Sequence, residues 1–148
     1  MPIYTYNLHH LPHNRRVEEA FVIMLTDTNY PLQIFAGSNR EIVAEPSRVT
    51  VSCRELFPVI PNGPIYYATL EILLVTNMDE VPDNDRIYHW RHVLDTLMTA
   101  SSNADRYFDD YKIRVSGFSI TDMTETSEGN YTGDMVTLRA GIQVTPTS

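Results

Sequence analysis

The chain has 148 residues, 43% of them hydrophobic and 20% charged, the ordinary balance of one folded domain rather than of a disordered segment. A formal charge of -8 argues against a surface that gains affinity by neutralising phosphates, and the single cysteine excludes an internal disulfide and a multi-cysteine zinc site. No stretch approaches the ~20 apolar residues of a membrane span, and Met1-Pro-Ile-Tyr-Thr-Tyr shows no basic start followed by an apolar run, so the expected location is the cytoplasm, or a particle assembled there.

Met1 to Asn14 holds Pro2, Pro12, His9, His10 and His13 without a sustained period and reads as an N-terminal arm. From Arg15 to Thr26, Val17, Ala20, Phe21 and Met24 recur at helical spacing, which predicts a first helix with Asn14 as its N-cap. Leu32 to Ala36 and Arg40 to Ala44 flank Gly37-Ser38-Asn39, a turn-forming trio, and predict a hairpin. Arg48 to Arg54 alternates Val49, Val51 and Cys53 with Arg48, Thr50 and Ser52, so one face is expected in the core, with Cys53 as a buried structural thiol. After a proline-rich connection, Tyr67 to Thr76 repeats the alternation with Ala68, Leu70, Ile72 and Leu74, and antiparallel pairing of these two strands follows.

A second helix is predicted from Asp83, with Ile87, Trp90, Leu94, Leu97 and Met98 as its packing face and Val93 at the edge of that face. Ala104 to Tyr111 reads as a short irregular or helical connection. Lys112 to Asp122 forms a strand whose apolar phase slips across Ser116-Gly117, the mark of a bulge. Met123 to Asp134 is too polar for a core and longer than the ~2 to 5 residues of a tight hairpin, which predicts a mobile loop. Met135 to Val144 is the last strand, with Val136, Leu138, Ala140, Ile142 and Val144 on one face, and residues 145–148 form a tail. The expected architecture is a single α+β domain: a mixed, mainly antiparallel sheet packed by two helices, with a long C-terminal hairpin.

No pattern carries a catalytic or cofactor site. His89 and His92, three apart on the second helix, are the weak candidates for a metal, but three or four converging ligands are needed; the wheel places both opposite the packing face, as exposed imidazoles. Paired acids such as Asp83 and Asp85 fall at element ends, where a solvated surface is the ordinary outcome. Candidate contact residues are Glu125, Glu128 and Tyr131 in the predicted loop, and Arg48 and Arg139 on the polar strand faces. On this reading, deleting residues 125–132 spares folding.

Four segments together, the helix from Arg15 with Val17 and Phe21, the strand Ala68 to Val75, the helix Ile87 to Met98 and the strand Leu138 to Val144, resemble in pattern the tail terminator proteins of long-tailed bacteriophages. The resemblance covers most of the chain beyond the arm. It implies a non-enzymatic structural protein without cofactor, a homo-oligomer closed as a hexameric ring that caps the tail tube protein and joins it to a neck or head completion protein in the virion. DNA would pass through its channel without specific binding, and the acidity of the chain suits such a pore. Alternatives are another phage neck completion or tail tube protein and, from a different class, a small metal-dependent enzyme using the histidines.

Overall fold

A computed structural model describes residues 13–26, 33–37, 48–61, 63–79, 83–102 and 106–145. Most of the predicted arm and the strand expected at Arg40 to Ala44 lie outside these. The elements are α1 (His13–Thr26), β1 (Gln33–Ala36), β2 (Arg48–Pro58), β3 (Ile65–Asn77), α2 (Asp83–Ser102), β4 (Arg106–Phe108), β5 (Ile113–Glu128) and β6 (Tyr131–Val144). They form a mixed six-stranded sheet in the order β1-β2-β3-β6-β5-β4 with two helices, an α+β arrangement. Among the described strands only the β1–β2 pair is parallel.

The alternation read from the sequence sets the register. Leu70 stands beside Cys53 on one side and Leu138 on the other, and Ile72 beside Val51 and Val136, so one face of β2, β3 and β6 is a continuous apolar surface. Val17, Ala20, Phe21 and Met24 of α1 are buried with it, and Phe21 meets Phe118 of β5 edge-on at 5.6 Å between ring centroids. Each such side chain removed from water stabilises by ~1.5 to 3 kcal/mol before ordering costs are counted. Arg16 is buried on the same helix. Its guanidinium donates to the carbonyl oxygens of Tyr111 at 2.8 Å, Lys112 at 3.2 Å and Thr145 at 3.1 Å, which ties α1 to the start of β5 and the end of β6.

The slip predicted at Ser116-Gly117 is present as a shift of register between Val115 and Gly117, and a second shift follows between Ile120 and Asp122. The predicted irregular connection holds the short strand β4, paired with β5.

Four expectations need correction. Residues 123–134 are not a loop: β5 continues to Glu128, β6 begins at Tyr131, and only Gly129 and Asn130 turn between them. Gly129 has φ of 59° and Asn130 no positive φ, the pattern of a II′ turn that suits strand twist; Thr-rich segments form strands without being apolar when both faces meet water. β1 runs parallel to β2, and the second strand of the predicted hairpin, Arg40 to Ala44, lies outside the described residues. Helix α1 starts at His13, so Asn14 lies within its first turn rather than capping it.

The packed stripe of α2 is also rotated from the expected one. Val93 and Leu97 are its buried centre, whereas Ile87 and Met98 are exposed. The same side of the helix as Val93 carries Arg86, which pairs with the buried Asp134 of β6 at 2.8 Å. Finally, the polar face of β2 is not solvated. Arg48, Thr50 and Ser52 are all buried, so β2 is covered on both faces at this end.

Candidate functional site

The register of β2 against β3 builds the main exposed surface. Phe57 lies directly across from Tyr67, and the amide of Val59 donates to the carbonyl of Ile65 at 2.8 Å, so Phe57, Val59, Ile65 and Tyr67 share the sheet face opposite the core. All are exposed, Phe57 by 56% and Ile65 by 52%, and Ile60 at the hairpin tip by 67%. Pro58, Pro61 and Pro64 fix the backbone around the tip. Isolated surface hydrophobics are unremarkable, but several gathered on one face mark an interaction surface.

Arg139 borders this patch, its guanidinium 5.3 Å from the centroid of the Tyr67 ring. Arg54 and Glu71 pair nearby at 2.7 Å. The face is thus an apolar centre with a charged rim, the anatomy of a protein contact.

The other predicted contact residues separate. Arg48 is buried within the chain at 6% exposure and is withdrawn from any surface contact. Glu125 lies in β5 near the far end of the sheet, with its carboxylate 3.2 Å from Arg86 of α2. Arg86 also makes a two-pronged pair with Asp134, Nε to Oδ2 at 3.0 Å and Nη2 to Oδ1 at 2.8 Å. Tyr131 opens β6 opposite Glu128. Sequence reading overlooked Phe57, Val59 and Ile65 because it treated the stretch around them as a connection; their spacing of two on either side of the turn was the available signal.

His89 is part-buried rather than facing solvent, since it shares the side of α2 that carries Arg86 and Val93. Burial, with a contribution from neighbouring His92, pulls its pKa down against the opposing pull of Asp85. Among the described residues no three His, Cys, Asp or Glu side chains gather as a metal-binding group. Cys53 sits in the core, where burial and the adjacent Glu18 push its thiol up to about 12. It is therefore protonated and inert at neutral pH. No described helix is long and apolar enough to cross a membrane.

No family model matches the chain, and no curated protein matches it.

Proposed function

We propose that this protein is a structural, ring-forming component of a phage tail or neck, a terminator that caps the tail tube and joins it to the neck or head completion protein. The observation that carries this reading is the rigid apolar cluster Phe57, Val59, Ile65 and Tyr67 on the outer sheet face, rimmed by Arg139 and Arg54. A contact between this patch and a different surface of the next copy would be head-to-tail and would form a ring where its rotation closes, whereas a patch-to-patch contact would give a two-fold dimer. The resemblance of the α1, β3, α2 and β6 segments to tail terminators supplies the setting, and the negative charge suits a channel that duplex DNA traverses without adhering.

The test is negative-stain microscopy with mass determination of the purified protein, alone and mixed with isolated tail tubes. Closed rings, or caps at tube ends, are expected. The double variant Phe57→Thr/Ile65→Thr should keep its circular dichroism spectrum and lose capping, because exposed apolar-to-polar changes alter stability by only about 0.5 kcal/mol. Long filaments would instead identify a tube protein, and a monomer indifferent to tubes would overturn the reading.

A further inference from the structure

The geometry points to the outer edge of β5, from Ser119 to Ser127, as a docking site for an extended, basic segment of a different polypeptide, which would add to the sheet as another strand. β5 has β6 along one side throughout, but on the other side β4 reaches only to Val115. Beyond it no strand covers β5 among the described residues, and every residue from Ser119 to Ser127 is exposed. A strand of that length presents a row of backbone donors and acceptors roughly 30 Å long, in which the amide of Met123 already donates to Oδ1 of Asp122 at 2.9 Å. Such edges are normally blunted by lysine, proline, bulges or a short strand. Here the two register shifts lie at or before Asp122, after which pairing with β6 runs unbroken to Glu128, and the segment contains neither lysine nor proline.

Charge decides the occupant. Residues 116–128 contain Asp122, Glu125 and Glu128 and no basic residue. Antiparallel self-pairing of two β5 edges centred on Glu125 sets Glu125 against Glu125 and Asp122 against Glu128, so carboxylates face carboxylates at all three positions. Like charges directly opposite destabilise a strand pair, which disfavours a second copy of this edge and leaves it open to lysine and arginine. Positions 122 and 125 lie on opposite sheet faces, as their partners Thr137 and Asp134 show, so cations on either side of an incoming strand find an acid. Arg86 offsets this field only in part, since the Nη2 that lies 3.2 Å from Glu125 also pairs with Asp134 and Glu125 stays 60% exposed. Ile120 and Met123, exposed on the core-side face of β5, offer apolar cover for an incoming strand.

The inference is independent of the ring reading, because it uses a different strand from the Phe57 patch. Its test employs a blocked nine-residue peptide of alternating lysine and threonine, a glutamate–threonine counterpart, and a lysine–threonine peptide N-methylated at alternate residues so that it keeps its charge but cannot pair along one edge. Binding would be followed by calorimetry, and its place by amide hydrogen exchange on the intact chain. Expected are slowed exchange within residues 119–127, at least tenfold weaker binding of the glutamate and N-methylated peptides, and about a three- to tenfold loss for Asp122→Asn/Glu125→Gln. Equal binding of the N-methylated peptide would reduce the effect to bulk attraction and overturn the proposal. So would protection elsewhere on the chain, or no binding by any peptide.

Discussion

At the scale of single residues, the polar groups that matter are those enclosed by the fold. Asp134 has a side chain only 5% exposed and relies on Arg86. Removing the cation strands a buried carboxylate, so Arg86→Met should cost about 3 kcal/mol in urea unfolding, while Arg86→Met/Asp134→Leu recovers much of that loss. Glu125→Gln, at the exposed end of the same cluster, should cost under about 1 kcal/mol. Glu18 behaves differently. Its buried carboxylate accepts the amide of Cys53 at 2.7 Å, yet burial outweighs that bond and raises its pKa above the ordinary 4.5. The folded state therefore binds this proton more tightly than the unfolded chain does. Its contribution to stability is fullest below the unfolded pKa and is lost as pH rises through the folded value. Glu18→Gln should remove this fall, giving a flatter dependence of the urea midpoint on pH above about 4.5 than the parent; parallel curves would contradict the assignment.

At the scale of elements, the β5–β6 hairpin marks the limit of what the sequence made legible. Alternation of apolar residues located the buried parts of β2, β3, β5 and β6, because a half-buried strand writes a period of two into the chain. Met123 to Ser127 writes no such period, as both its faces meet water, and its polarity reads as a loop. The same blindness hid the Phe57 patch, where an apolar run faces outward. Only the pairing partner reveals the first, while the second left a spacing of two at Phe57 and Val59 and again at Ile65 and Tyr67. The hairpin reading has its own test at Gly129, where a Cβ would meet nothing within 4 Å, so any cost of substitution is that of the backbone alone. Gly129→Val should destabilise by about 1 to 2 kcal/mol and Gly129→Asn by much less, as measured by thermal unfolding. Equal, negligible effects would restore the loop. Deleting residues 125–132 removes paired ends of both strands and should lower the midpoint of unfolding rather than spare it.

At the scale of the whole molecule, the α+β class and the two helices were readable, while the strand order was not. Nothing in local periodicity states that β6 lies between β3 and β5, or that β1 joins β2 in parallel; these are long-range pairings whose information is spread over both partners. The candidate surfaces inherit that limit, for Arg139 reaches Tyr67 only because β6 lies against β3.

The central place of β6 also orders events in time. Translation delivers this strand after every other described strand, yet β3 and β5 have no contact across the sheet until it is inserted between them. The nascent chain must therefore hold the apolar edge of β3 open while α2, β4 and β5 emerge, a slow, non-local closure during which chaperones have their opportunity. A chain ending at Asn130 should accordingly accumulate as insoluble protein, and residues 131–145 supplied as a separate peptide should rescue it. This late strand acts as the keystone between β3 and β5.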